Sequence, residues 1–207
     1  KFDLDGSLQF VNSDNQVNSN SASERFYSSK STFSNTLSGT ESGDASFRSS
    51  FRLEWKPNEK TTLLIRPNLT LGWTDNAQLS RSSSYNRDPL TLVDHTDDYI
   101  GPDAPANEAL DSVRINSTGN SSWTDAGRWS GSVSMTLNRR LNDRGRNVGL
   151  RLGLGGGSSD NDRLRDNLTR YHRMTGADGQ DSVNVRRQYI ATVGDNWNYS
   201  AQFTYSE

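Results

Sequence analysis

Two histidines, His95 and His172, are the only imidazoles available as bases or metal ligands, and the chain has no cysteine. Neither histidine stands in a Ser-His-Asp order, or in a His-rich spacing, that supports nucleophilic catalysis or metal binding. The sequence therefore predicts no enzyme, no cofactor and no metal centre. Gly153–Gly157 is rich in glycine, but no phosphate-binding helix pattern follows it, which argues against a phosphate loop. Small residues facing a polar interior would instead leave room for a plug or permit curvature. Asp94, Asp97, Asp98 and Asp103 offer oxygen ligands of the kind calcium takes, with Asp160 and Asp162 as a second set. Their spacing fits no EF-hand, and a solvated acidic loop accounts for them better.

The better-placed charges are Arg48, Arg52, Glu54, Lys56, Arg66, Arg140 and Arg151. Successive side chains of a strand point to opposite faces. From Phe47 to Trp55, Phe47, Phe51, Leu53 and Trp55 share one parity, while Arg48, Arg52 and Glu54 share the other. Pro57, Asn58, Glu59 and Lys60 break the pattern as turn residues do. Alternation then resumes with Leu63, Ile65, Pro67, Leu69, Leu71 and Trp73 against Thr62, Arg66, Asn68, Thr70 and Thr74; Leu64 is the one misfit. This is a hairpin of two long strands. A half-buried sheet of a soluble protein would show the pattern. So would two transmembrane barrel strands, apolar outward and polar inward. On the second reading the charged set lines a polar lumen, where mixed charges hold a plug or guide a solute.

The same alternation marks six strands near 2–11, 46–56, 60–74, 128–141, 146–156 and 186–206. Asn142-Asp143-Arg144-Gly145 makes a second tight turn. Between the hairpins lie polar stretches rich in Ser, Asn, Gly, Thr and Asp: residues 12–45, from about 75 to 122, and from about 156 to 182. Asp162–His172 admits a helical turn, a strand extension or a loop. Loop length thus alternates long, short, long, short, long, as in an antiparallel up-and-down meander whose short turns lie at one membrane face and whose three long loops are extracellular.

Only 30% of the 207 residues are hydrophobic, which is poor for a globular core but sufficient for a barrel with one apolar face. No run approaches the ~20 apolar residues of a membrane helix. The net charge of −2 carries no nucleic-acid footprint. Trp73 lies 13 residues after Lys60, and Trp129 lies 13 before Asn142. At ~3.3 Å per residue and ~40° tilt, that climb is roughly 33 Å from the turns, close to the far interface, where tryptophan is favoured. Trp55 and Tyr205 would mark the near interface, with Trp197 a further interfacial aromatic.

The runs Phe51-Arg52-Leu53-Glu54-Trp55-Lys56-Pro57-Asn58, Thr61-Thr62 and Arg66-Pro67-Asn68 resemble the outer-membrane β-barrel proteins of Bacteroidetes, relatives of TonB-dependent receptors. Arg139-Arg140-Leu141-Asn142-Asp143-Arg144-Gly145-Arg146 is similar to the short periplasmic turn of that family, and Thr204-Tyr205-Ser206-Glu207 to the start of the next one. The resemblance implies the outer membrane as location, an N-terminal plug, a barrel of about 22 strands, contact with lipid and TonB, and uptake or binding of an unidentified solute. Residues 1–207 are then a partial barrel domain, because six strands are too few to close such a barrel and no plug segment is recognisable. The alternative is a secreted or surface-exposed soluble β-sheet protein that binds glycans or protein partners.

Overall fold

The computed structural model describes residues 1–28, 30–142, 145–175 and 181–207, except the side chains of 173–175. The chain is all-β. Six strands, β1 (Phe2–Phe26), β2 (Ser31–Asn58), β3 (Thr61–Tyr85), β4 (Arg114–Arg140), β5 (Asn147–Thr175) and β6 (Asp181–Ser206), form one antiparallel sheet in the order β1-β2-β3-β4-β5-β6. The sheet is not closed, so β1 and β6 each have one unpaired edge among the described residues.

Residues directly opposite each other across a ladder share a face. The register therefore carries the apolar row of the central hairpin across all six strands. Phe2 faces Trp55, Trp55 faces Leu63, Leu63 faces Leu137, Leu137 faces Leu150, and Leu150 faces Phe203. Leu53, Ile65, Met135, Leu152 and Ala201 form the next row, and Pro67, Val133, Leu154 and Tyr199 the one after. Phe51 and Leu69 share this face with them. Pro67 has no N–H to give. The β2–β3 ladder has a gap at Arg66 and Pro67, with the register unchanged on either side at Ser50–Asn68 and Leu53–Ile65.

Most of the polar stretches expected as long loops are strand. Residues 12–26 and 31–45 pair with each other without a break, and only 27–30 connect them. β3 continues to Tyr85, β4 begins at Arg114, and Asp162–His172 is strand rather than helix. Of the three extracellular loops expected, only 86–113 has the length of a loop among the described residues; 176–180, between β5 and β6, lie outside them, as do Asp143 and Arg144 of the second tight turn. Polar side chains hold the extensions together across the ladders. Ser19 Oγ meets Ser38 Oγ at 2.7 Å, Gln16 Nε2 donates to Glu41 at 3.1 Å, and Thr74 Oγ1 donates to Asp44 at 2.7 Å. Serine, threonine and asparagine carry no apolar periodicity, so these stretches imitate loops in sequence while their backbone groups are satisfied by neighbouring strands.

The strands are 25 to 29 residues long, whereas about 9–11 tilted residues span a bilayer. The apolar band occupies the end nearest the tight turns; the rest of each strand is an extension reaching some 15 residues further. Segment 86–113 folds back over the extension's continuation of the apolar face. Two 3-10 turns, Pro89–Thr91 and Asp97–Tyr99, and the short α1 (Glu108–Asp111) shape it; the Asn107 side chain caps α1 by accepting from Leu110 N. The buried cluster of Tyr85, Leu110 and Val113 lies here, with Phe33, Leu92, Val93 and Tyr99 against it. The main apolar band has no such cover, even on the interior strands: Trp55 is 50% exposed, Trp73 52% and Leu154 53%.

Candidate functional site

The two faces of the sheet differ in charge as well as hydropathy. Arg48, Arg52, Glu54, Arg66, Arg140 and Arg151 all fall on the polar face, as the pairs Arg48–Thr70, Glu54–Leu64, Arg66–Ser134, Thr136–Arg151 and Arg140–Asn147 show. Leu64 also lies on this face, beside Glu54 and Thr136. Glu54 is nearly buried and takes ion pairs from both Arg52 and Lys56, its same-face neighbours two residues away on either side.

Beyond the band the sorting by sign is sharper. On β3 to β6 the polar face carries Arg66, Arg128, Arg140, Arg151, Arg163, Arg165 and Arg186, and no carboxylate among the described residues. The carboxylates of β3 to β5, Asp75, Asp125, Asp160, Asp162 and Asp166, and Asp195 of β6 all point to the opposite face. Asp44 and Glu54 of β2, with Asp3 and Asp5 of β1, are the acids of the polar face. A net charge of −2 conceals this arrangement, because the two signs balance across the sheet.

The aromatics singled out from the sequence form two staggered lines on the apolar face, with Phe51 and Tyr199 between the lines and Trp123 and Tyr189 beyond them on the extension. Trp73 stands opposite Gly127 and Trp129 opposite Leu71, while Trp197 stands opposite Gly156 in the row of Leu69 and Gly131. Each tryptophan therefore lies one row nearer the tight turns than the one before. At the turn end, Trp55 shares a row with Phe203, and Tyr205 lies one row further in the same direction. A level belt drawn around tilted strands crosses the register this way.

Gly153–Gly157 neither cradles a phosphate nor makes up a lumen surface as a unit. Gly156 lies on the apolar face, where a Cβ would come within 2.5 Å of Trp197 Cε3. The missing side chain lets Trp197 lean over β5 to meet Trp129 edge-on, with centroids 6.0 Å apart and planes at 68°. Gly153, Gly155 and Gly157 face the polar side, against Ser200, Asn198 and Asn196.

Register also assembles a hydrogen-bond chain that no sequence spacing foretold. His172 Nε2 is 3.0 Å from Ser117 Oγ, and His172 Nδ1 is 3.0 Å from Asp181 Oδ2. Ser117 Oγ is 3.2 Å from Ser83 Oγ, which accepts from Gly101 N at 3.0 Å. Burial holds the imidazole below its ordinary pKa, against the opposing pull of Asp181. Contrary to the sequence reading, His172 does stand in a Ser-His-Asp order at triad-like distances, but Ser117 and Ser83 are fully buried. The chain ends on the backbone of segment 86–113, so its chemistry is that of a clamp. Asn35 Nδ2 to Thr96 Oγ1 at 2.6 Å and Asn20 Nδ2 to Asp97 at 2.9 Å fasten the same segment to β2 and β1. Asp97 is thereby engaged, and Asp98 meets His95 at 3.2 Å. Among the described residues no group of three or more His, Asp or Glu is placed to hold a metal ion.

No family model matches the chain, and no curated protein matches it. Among solved structures, the membrane pore complex of pneumolysin is 9% identical, with 96% of this chain aligned to 31% of that one at a TM-score of 0.20. OccK10 (OpdN) of Pseudomonas aeruginosa is 8% identical, with 96% and 98% of the two chains covered at a TM-score of 0.12. The chain thus spans about a third of the pneumolysin chain it matches. Likenesses this low carry no argument about fold or function.

Proposed function

We propose that this chain is a segment of an outer-membrane β-barrel, of the kind related to TonB-dependent receptors, that takes part in uptake or binding of a solute. One observation carries the reading: an apolar band, continuous over six strands and uncovered by any second layer, lies between two lines of aromatic residues. From Leu63 to Trp73 the band measures about 33 Å along β3, or about 25 Å of height at ~40° tilt, the height of the lipid-facing zone of such barrels. An exposed apolar surface of this extent is untenable in water. The partners implied are lipid, the remaining strands and plug of the full-length protein, TonB, and the solute. The unpaired edges of β1 and β6 support further strands, since neither carries a proline that would blunt it.

The test compares two neighbours on β3. Leu69 belongs to the apolar face and Thr70 to the polar one. Arginine on the lipid face near the midplane costs ~2–4 kcal/mol, while lumen positions are tolerant. In the intact protein, Leu69→Arg should weaken folding into lipid vesicles by that amount and Thr70→Arg should leave it nearly unchanged. Cooperative folding as a monomer in plain buffer, with the same Leu69→Arg penalty there, contradicts the membrane reading.

A further inference from the structure

The polar face of the extension gathers arginines around a cavity. Arg163 and Arg165 of β5 and Arg186 of β6 line a space of about 310 Å³ together with Asn120, Asn167 and Gln188. The ladders set Arg165 beside Gln188 and Asn167 beside Arg186, so the cations occupy consecutive rows. The same rows hold Asn76, Ser80 and Thr124 on β3 and β4, with no carboxylate on β3 to β6; Asp44, one row nearer the band, lies three strands away on β2, where it accepts from Thr74. The carboxylates adjacent in sequence, Asp162 and Asp166, point to the other face, where Asp166 takes both Nε and a terminal nitrogen of Arg187 at 2.7 and 3.2 Å. Adjacent residues thus divide the work: Arg187 is neutralised on one face, and Arg186 has no ion pair among the described residues on the other. Arg163 Nε is buried with no hydrogen-bond partner.

Like charges placed in adjacent rows repel each other and destabilise a sheet unless something of opposite sign sits between them. A guanidinium offers a planar fork of N–H donors that matches carboxylate and phosphate oxygens, and amide side chains beside it complete the coordination. We infer that this cavity binds an oxyanion, a phosphate or carboxylate group, and that the solute of the proposed barrel is anionic. The second half of the inference rests on the barrel reading, which makes the polar face a lumen; the binding site itself does not. Arg128, on the same face two rows beyond Arg163 towards the band, extends the cationic track from the site to the lumen next to the apolar band.

The experiment is calorimetric titration of the intact protein, purified in detergent at low salt, with inorganic phosphate and, separately, with citrate. The inference requires saturable binding of at least one of them, and the comparison of the two says which oxyanion fits better. Arg163→Gln, Arg165→Gln and Arg186→Gln combined should weaken that binding at least tenfold, on the order of one charge-assisted hydrogen bond lost. Arg186→Gln alone, at an exposed position, should weaken it several-fold and provides the answer if the triple variant does not fold. Arg187→Gln, one residue away on the opposite face, should leave it unchanged. No saturable binding of either anion, or equal losses for Arg186→Gln and Arg187→Gln, overturns the site. A protein that stays folded in buffer without detergent but binds phosphate with this pattern removes the lumen and keeps the site.

Discussion

At the scale of single residues, the sheet is tuned by contacts across ladders that sequence spacing does not reveal. Gly156 was legible only as part of a glycine run; its partner Trp197 lies on the next strand and becomes its neighbour only through the β5–β6 register. The same relation joins Gly6 to Phe51, whose ring covers the place a Cβ would occupy. An aromatic ring lying over a cross-strand glycine gains packing while restoring cover to the bare backbone. Gly156→Val should therefore push Trp197 off Trp129, and the loss of aromatic packing should cost about 1 kcal/mol. Fluorescence of a variant retaining only Trp129 and Trp197 should change with that substitution, while Gly194→Ala on the polar face of β6, where a Cβ would meet only Ser159 Oγ at an ordinary 3.6 Å, should leave the pair unaffected.

At the scale of elements, the part of each strand inside the band could be read from sequence and the part beyond it could not. Alternation of Leu, Ile, Trp and Phe against Arg, Ser and Thr defined the faces at 47–73 and 129–154, and the register agrees with every one of those assignments. In 12–45 and 156–182 both faces are polar, so the period-two signal vanishes although the ladder continues. The sign sorting was present in the sequence all along: Arg163 and Arg165 alternate with Asp160, Asp162 and Asp166. It has meaning only once that segment is a strand. The Ser117–His172–Asp181 chain was illegible for a different reason, since it joins three strands through their register. It makes the attachment of segment 86–113 sensitive to acid. His172 has a folded-state pKa below its unfolded value, so the opened state binds the proton more readily and stability rises with pH. The clamp is complete above the unfolded value of about 6.5 and weakens as pH falls below it. Hydrogen exchange of 86–113, corrected for intrinsic rates, should show protection falling from pH 7.5 to 5.5. His172→Gln should flatten that dependence, and an unchanged slope in the variant would assign it to other groups.

At the scale of the whole molecule, the proposed barrel would make the sheet part of a closed wall. A single layer of six strands buries Tyr85, Ile100, Leu110 and Val113 and leaves its largest apolar residues uncovered. Among the described residues, backbone groups on the outer edges of β1 and β6 have no partner strand, whereas a barrel closes every edge. Long extensions with polar side chains on both faces carry the wall well past the height of a bilayer, and segment 86–113 braces them from the apolar-face side. The central claim is that the apolar band meets lipid. Nitroxide labels placed one at a time from Leu63 to Trp73 on β3, in the intact protein reconstituted in bilayers, test it most directly. Collision rates with oxygen and with a polar nickel chelate should alternate with a period of two: Leu63, Ile65, Leu69 and Leu71 reached by oxygen and shielded from the chelate, Thr62, Asn68 and Thr70 the reverse. Equal access of both reagents at the two sets of positions would contradict the account.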